Sequence, residues 1–235
     1  MAHAPAIFAY WNDYDLSLLS NFTTEWRSEF SQFRLFGDDD AIPLIKRHFP
    51  EHVELYKAIR IPAAKADIAR LLLLYEFGGL YVDCHCGIRD ADGIRRLILS
   101  LDQMELIFVD RRLSQQTRPA DEHFFLNSII FSRPGSDLIF TICRQALANL
   151  AAHREEERKS GKVPYRIGRL SGPGLVTAMA LQPGSGNRYV KRGYERRIMI
   201  VREEIAPIVR DRHRTYGGPG QHWSERQAVE LLFES

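Results

Sequence analysis

The sequence predicts an α/β fold, in which a largely parallel central sheet is flanked by helices. The main observation is that short apolar segments rich in branched and aromatic residues alternate with longer helical patterns along the chain. The length of 235 residues fits one substantial domain. A hydrophobic fraction of 45% beside 26% charged residues is ordinary for a chain that buries a large core without disulfides or metals.

The first half of the chain supplies three strands and four helices. The strands are "AIFAYW", "QFRLFG" and "GLYVD". One helix is expected from Leu16 to Trp26, and Pro50 separates two short ones, "DDAIPLIKRHFP" and "EHVELYKAI". Pro62 introduces the longest of these helices, "AAKADIARLLLLYEF", in which every residue type is compatible with helix.

The second half continues the alternation. The segments "MELIFVD" and "NSIIFS" are predicted strands, and "RIMIVREEIAPI" supplies one or two more. A long helix is expected to start at a cap on Ser136. The segment "SGPGLVTAMAL" predicts a turn and a helix, and "YGGPGQHWSER" a glycine-rich loop before a last short helix.

Composition limits the location and partners of the protein. A formal net charge of +2 gives no reason to expect nucleic-acid binding. Three cysteines cannot all pair within the chain, which favours a reducing compartment. The N-terminus lacks a secretory pattern, and no apolar stretch reaches membrane-spanning length. We therefore predict a cytoplasmic protein without an integral membrane segment; peripheral attachment to a membrane and export as an effector are the alternatives.

The segment "VDCHCG" brings potential metal ligands to the end of a strand. Because side chains alternate across a strand, Asp83 and His85 are expected on one face, and Cys84 and Cys86 on the other. An oxygen and an imidazole nitrogen suit a cation such as Mn²⁺. A zinc site built on the cysteines lacks ligands, because Cys143 lies in a predicted helix. The alternative is a turn that carries two solvated polar groups.

The helix before this strand carries a charged pair. Asp67 and Arg70 are three residues apart and hence neighbours on one face of a helix that is apolar over most of its circumference. Charges in such a place cost free energy unless they are paired or used. The sequence leaves open whether this is a structural ion pair or part of a site. After the helix, Gly78 and Gly79 permit a tight turn into the strand.

The whole segment "AAKADIARLLLLYEFGGLYVDCH" resembles the signature of glycosyltransferases that contain a DXD sugar-binding region. That family pattern is S/A-D-x-x-R, a hydrophobic stretch, and GG-x-Y-x-D-x-D. The matching residues, in order and spacing, are Ala66, Asp67, Arg70, Gly78, Gly79, Tyr81 and Asp83. The second aspartate is replaced by His85, which resembles the DXH motif of polypeptide N-acetylgalactosaminyltransferases. The family includes initiating α-mannosyltransferases, capsular polysaccharide transferases and clostridial glucosylating toxins.

Weaker similarities to this family extend over most of the chain. Trp11, or Tyr10 if the register differs, takes the place of an aromatic residue near the nucleotide base. "NSIIFSRPGSDLI" resembles a family segment that places Asn127 near the donor sugar, and "LSGPGLVT" resembles a family turn. "GQHWSE" resembles the terminal family region, which contributes His222, Trp223 and Ser224.

The resemblance implies a GT-A fold, with a Rossmann-like sheet, in a single domain over 1–235. The donor part would cover roughly 1–135 and the acceptor part roughly 136–235. The implied activity transfers a sugar from a UDP- or GDP-sugar to a glycan, lipid-linked saccharide or protein, with retention of configuration. The implied catalytic residues are Asp67, Arg70 and Asp83; the implied ligands of Mn²⁺ or Mg²⁺ are Asp83, His85 and His222; and the implied donor contacts are Tyr10, Trp11, Asp67, Arg70, Asp83, Asn127, Trp223 and Ser224.

The sequence leaves the general base, the acceptor surface and the type of activity open. Asp121, Glu122 and Asp211 are possible bases in polar loops. The arginine-rich segment from Arg188 to Arg214 is either a solvated surface or an acceptor-binding one. Two other functions are a non-catalytic module that binds sugar nucleotides through a decayed metal site, and a metal-dependent hydrolase of nucleotides or phosphate esters.

Overall fold

A computed structural model describes residues 6–12, 19–110, 125–182, 189–202, 208–211 and 222–234. Within these residues the largest sheet has six strands in the order β2-β1-β3-β6-β5-β9, and β6 is the one strand that runs against the others. The predicted fold class, an α/β domain with a mostly parallel sheet flanked by helices, is confirmed. The bounds of these six strands are β1 Ile7–Tyr10, β2 Phe33–Phe36, β3 Gly79–Val82, β5 Leu106–Asp110, β6 Phe125–Ser132 and β9 Ile198–Arg202.

Two small antiparallel pairs accompany this sheet. Strand β4, Cys86–Ile88, pairs with β10, Val209–Asp211, and β7, Leu181–Gln182, pairs with β8, Tyr189–Val190. The helices are α1 Ser20–Glu29, α2 Asp38–His48, α3 Val53–Lys57, α4 Pro62–Phe77, α5 Ala91–Ser100, α6 Asp137–Ser160, α7 Ile167–Leu170, α8 Pro173–Ala180 and α9 Trp223–Val229, with a 3₁₀ turn at Pro50–His52. Helix α5 and the β4–β10 pair are absent from the sequence-based prediction.

The sheet separates two core layers. One layer, which we call the α4 layer, contains α4, α6 and α8 together with alternate strand residues such as Phe8 and Tyr81. The opposite layer, the α1 layer, contains Trp26 of α1, Ile94 of α5 and the intervening strand residues such as Leu80. The alternation of strand residues between two apolar layers is what the pleat of a doubly covered sheet requires.

Helix α4 leads directly into the centre of the sheet. Pro62 occupies its first turn, and its backbone ends at Gly78, where φ is 62°. Gly79 has a φ of 89°, and a Cβ added there would lie 1.9 Å from the carbonyl oxygen of Ala6. The two glycines therefore allow β3 to leave the helix at once and to pair closely with β1.

The carboxyl ends of β1, β3, β5 and β9 lie at one edge of the sheet, beside the amino end of β6. In open parallel sheets ligands bind beyond this edge. Asp83 and Trp11, which follow β3 and β1, are placed there by the topology. As regards membranes, none of the helices in the described residues is long and apolar enough to cross one.

Candidate functional site

A buried arginine joins two carboxylates at the carboxyl edge of the sheet. One Nη of Arg70 lies 3.1 Å from Asp67 Oδ1 and donates a 2.9 Å hydrogen bond to the backbone oxygen of Asn127. The other Nη donates to Asp83 Oδ1 at 3.2 Å. The guanidinium is almost fully buried, and its Nε has no hydrogen-bond partner among the described residues. The predicted pair of Asp67 and Arg70 is thus part of a larger network that includes the predicted strand-end carboxylate.

Asp67 is the most enclosed carboxylate of this network. Its Oδ1 accepts a 2.7 Å hydrogen bond from the amide of Asn127, and its Oδ2 accepts one of 2.9 Å from the hydroxyl of Ser171. Burial raises the pKa of Asp67 to about 6, although Arg70 and these two donors favour the ionised form. Asp67 is therefore a carboxylate that changes charge just below neutral pH.

We expect Asp67 to make folding stability depend on pH. Its pKa rises from 3.8 in the unfolded chain to about 6 in the fold, so the native state binds more protons between these values. The contribution of Asp67 to the free energy of unfolding is therefore greatest below pH 4, and it is lost as the pH rises through 6. The free energy of unfolding, measured with urea, should be compared between the wild type and Asp67→Asn. From pH 4 to pH 7 the wild type should lose about 3 kcal/mol more than the variant. The same difference for the exposed Asp92→Asn should stay flat, and a flat curve for Asp67→Asn would contradict the assignment.

Asp83 is the carboxylate of the network that a ligand can reach. Its Oδ1 accepts hydrogen bonds from Arg70 and from the hydroxyl of Tyr81, the latter at 2.7 Å. The Arg70 guanidinium lies 4.9 Å from the centre of the Tyr81 ring. Tyr81 therefore contacts Arg70 through its ring and Asp83 through its hydroxyl. The Asp83 side chain is 18% exposed, and its Oδ2 makes no hydrogen bond to the described residues. One carboxylate oxygen is thereby held by two donors, and the side chain as a whole stays partly exposed.

The cysteines near Asp83 are core residues. Cys84 and Cys86 are buried in the α1 layer, where the thiol of Cys84 contacts the backbone oxygen of Tyr10 at 3.4 Å. Burial raises the pKa of the Cys84 thiol well above its usual range. Cys143 is buried in the α4 layer, on the far side of the sheet. These three thiols cannot share a zinc ion.

The backbone turns after Asp83, which alters the prediction for His85. Strand β3 ends at Val82, and the amide of Cys86 donates back to the carbonyl of Asp83 at 2.9 Å. The pleat argument that placed His85 on the face of Asp83 therefore does not apply, and His85 lies in the turn between β3 and β4. Strand β10 pairs with β4 so that Asp211 is opposite Cys86, which brings the backbone of this possible base next to the turn.

His222 caps the last helix. Its Nδ1 accepts a hydrogen bond from the amide of Ser224, and its ring lies 5.2 Å from that of Trp223. No group of three or more His, Cys, Asp or Glu side chains that could hold a metal occurs in the parts of the chain that the structure describes. The predicted set of Asp83, His85 and His222 is thus not gathered into such a group, and residues 212–221, which precede His222, lie outside the described ones.

The structure distinguishes between the two aromatic residues predicted near a base. Tyr10 is buried, and its hydroxyl is hydrogen-bonded to Asp38 and to Tyr56. Trp11 follows β1 at the carboxyl edge and is only partly buried. Of the two, Trp11 is the less buried. At the other end of the chain, Trp223 is 38% exposed.

Within the arginine-rich segment, Arg197 lies away from Asp83. Arg197 forms ion pairs with Glu105 and Asp137, so its charge is neutralised within the fold. It precedes β9, whose first residues pair with the start of β5, so it lies at the edge opposite the carboxyl ends of the parallel strands. The ion pairs account for the charge of Arg197, and the acceptor-binding interpretation of the segment stays a prediction. Among the other open residues, Asp121, Glu122, Arg188 and Arg214 lie outside the described part of the chain.

Comparison with known proteins identifies the first part of the chain. Residues 8–98 match the family described as glycosyltransferase sugar-binding region containing DXD motif. The match covers less than half of the chain. The resemblance seen in the sequence is confirmed over this segment, which contains Asp67, Arg70, Asp83 and His85. Asn127 and the His222–Ser224 region lie beyond it.

Solved structures and curated proteins were also compared. The chain is similar to a structure titled PaToxG glycosyltransferase, with 13% identity, a TM-score of 0.41, and coverage of 74% of this chain and 67% of the other. The catalytic domain of alpha-toxin from Clostridium novyi gives 11% identity, a TM-score of 0.43, and coverage of 75% and 72%. The ligand-free glycosyltransferase domain from the YGT toxin gives 11%, 0.35, and coverage of 59% and 39%. No curated protein matched the sequence. The family assignment rests on the sequence match of residues 8–98.

Proposed function

We propose that the protein is a metal-dependent glycosyltransferase that uses a nucleoside-diphosphate sugar as donor. The observation that carries the proposal is the Arg70 network, in which a buried guanidinium holds Asp67 and Asp83 at the carboxyl edge of the sheet. All three residues fall in the glycosyltransferase segment. A structural ion pair would need only one carboxylate, whereas this arrangement also leaves one oxygen of Asp83 accessible.

The proposed role of Asp67, Arg70 and Asn127 is to hold the donor sugar. Sugar hydroxyls both donate and accept hydrogen bonds, so a carboxylate, an amide and a guanidinium in one network suit them. Fixing the sugar in one orientation removes much of the entropy that the transfer would otherwise cost. Because these side chains already hold one another, little reorganisation is needed when the donor binds.

Asp83, with His85 and His222, is proposed to hold Mn²⁺ or Mg²⁺. The donor types suit such an ion, and these cations are commonly held by one or two protein side chains together with substrate phosphates. The proposal therefore requires that Asp83 bind the ion first, because the three side chains are not gathered into one group in the described part of the chain. Asp83 Oδ2 is the oxygen open to that contact. A bound metal would neutralise the charge that develops on the departing diphosphate. Arg70 would keep Asp83 oriented for this purpose.

The remaining donor contacts follow from accessibility. We place the nucleotide base, of a UDP- or GDP-sugar, on the ring of Trp11, and the diphosphate near Trp223 and Ser224 of α9. The acceptor is a glycan, a lipid-linked saccharide or a protein, bound by the part from 136 to 235 of a single domain, and transfer proceeds with retention. A cytoplasmic location stays an expectation from composition.

The test is a panel of UDP- and GDP-sugars, scored for release of the nucleoside diphosphate with Mn²⁺ and with EDTA. We expect one or a few donors to be hydrolysed slowly, only with metal, because water replaces the missing acceptor. Release of phosphate from nucleotides that carry no sugar would instead indicate a hydrolase. Absence of turnover of every donor would contradict the proposal.

A second candidate function has a specific observation in its favour. His85 replaces the second aspartate of the motif, and Arg70 already supplies a positive charge to Asp83. A non-catalytic module could use this ion pair in place of a metal. Calorimetry with UDP separates the two functions: binding that requires Mn²⁺ supports the transferase, and binding indifferent to metal supports the module.

A further inference from the structure

The turn between α7 and α8 is shaped around Asp67. Ser171 is 1% exposed, and its hydroxyl donates to Asp67 Oδ2 at 2.9 Å. Its own amide and that of Gly172 donate to the carbonyl of Ile167, at 3.0 and 3.1 Å, which fixes the turn. A Cβ added to Gly172 would lie 3.1 Å from Asp67 Oδ2 and 3.0 Å from the Cα of Gly168. The backbone at Gly172 therefore lies so close to the Asp67 carboxylate that a side chain at this position would be crowded.

Ser171 has a position in the network that no other described residue shares. Asn127 and Arg70 both contact Oδ1 of Asp67, whereas Ser171 is the partner of Oδ2. A hydroxyl has one proton to donate and two lone pairs. The hydroxyl gives this proton to Asp67, so Ser171 acts on the carboxylate as a hydrogen-bond donor.

We infer that Ser171 is a positioning residue for Asp67, through which the turn between α7 and α8 controls the orientation and charge of the donor-sugar carboxylate. The inference rests on the proposed function and extends it to the second half of the chain, outside residues 8–98. The charged groups that face Asp67 are Arg70, on the same helix, and Asp83, beyond Arg70; the other two partners, Asn127 and Ser171, are neutral. Ser171 is one of the three groups that lower the pKa of Asp67 against the effect of burial.

Replacing Ser171 by alanine should raise the pKa of Asp67 by about one unit, which corresponds to the loss of one hydrogen bond to a charged group. The acid limb of the pH profile of donor hydrolysis should move upward by the same amount, so that activity lost at pH 6 returns at pH 8. Ser171→Cys, which keeps most of the volume and a weak donor, should give an intermediate shift. Ser132→Ala is the matched control, because Ser132 is a buried serine whose hydroxyl bonds to the carbonyl of Arg133 at the opposite edge of the sheet.

A stability cycle tests the same inference without any activity. The free energy of unfolding is measured between pH 4 and 8 for the wild type, Ser171→Ala, Asp67→Asn and the double variant. We expect Ser171→Ala to change the pH dependence of the free energy of unfolding in the wild-type background. In the Asp67→Asn background the same substitution should leave that pH dependence unchanged. An unchanged pH dependence in folded Ser171→Ala and Ser171→Cys would overturn the inference, even in an active enzyme. Failure of every sugar nucleotide to react would overturn the proposed function. The stability measurement would still test whether Ser171 acts on Asp67, because it requires no activity.

Discussion

Asp83→Ala is expected to abolish metal-dependent turnover of the donor while the protein stays folded. Asp83 contributes the oxygen proposed to bind the cation, and its loss removes the stabilisation of the charge on the leaving diphosphate. A loss of about a thousandfold or more, on the order of 4 kcal/mol in the barrier, is the expected scale. Binding of UDP should lose its dependence on Mn²⁺ in calorimetry.

The control for Asp83→Ala is Asp92→Ala. Asp92 is an exposed aspartate that pairs with Arg95 on the surface of α5, so the same chemical change is made away from the site. We expect its turnover and its metal dependence to equal those of the wild type. If Asp83→Ala kept both properties as well, the metal would have to bind elsewhere and the assignment of Asp83, His85 and His222 would be wrong.

Arg70→Met is expected to destabilise the fold strongly as well as to stop turnover. The substitution leaves two carboxylates in a buried network without their cation, and breaking a buried pair in this way costs about 3–5 kcal/mol. Urea unfolding at pH 7.5 measures this loss directly. Arg158→Met is the comparison, because Arg158 forms an exposed ion pair with Glu155 in α6 and its loss should leave the free energy of unfolding nearly unchanged.

The pH dependence of the Arg70 variant gives a second criterion. Arg70 lowers the pKa of Asp67, so without it that pKa should rise above 6. The native variant then binds a proton more strongly than the wild type, and its stability deficit should shrink as the pH falls towards 5. Arg70→Lys should recover part of the stability, but one ammonium cannot contact Asp67, Asp83 and the Asn127 carbonyl as the guanidinium does. An equal deficit at pH 5 and pH 8 would show that packing, and not charge, is what the variant loses.

Local patterns were sufficient for most of the fold. The alternation of strands and helices, the Ser136 cap and the glycine pair after α4 all depend on nearest neighbours, and each of these predictions agrees with the structure. Helix α5 was missed, although Asp90 caps it by accepting a hydrogen bond from Gly93. The Asp-x-x-Gly spacing there is a weak signal that a closer search for caps could have found.

The site was predictable in part. The i, i+3 spacing put Asp67 beside Arg70, because this neighbourhood depends on helix periodicity alone. For His85 the strand periodicity leaves the position a prediction, since strand β3 ends at Val82 and His85 lies in the turn before β4. Ser171 could not be found in this way, because it lies 104 residues from Asp67.

The sequence by itself determined that this chain builds an α/β sheet and delivers a glycosyltransferase motif to the carboxyl edge, since periodicity and glycine turns act over a few residues. Only the tertiary structure decided how the charges there are shared. Arg70 bridges two carboxylates that come from different elements, and Asp67 obtains its partners from β6 and from the turn before α8. Burial also sets the charge of Asp67, and burial is a property of the packed layers as a whole.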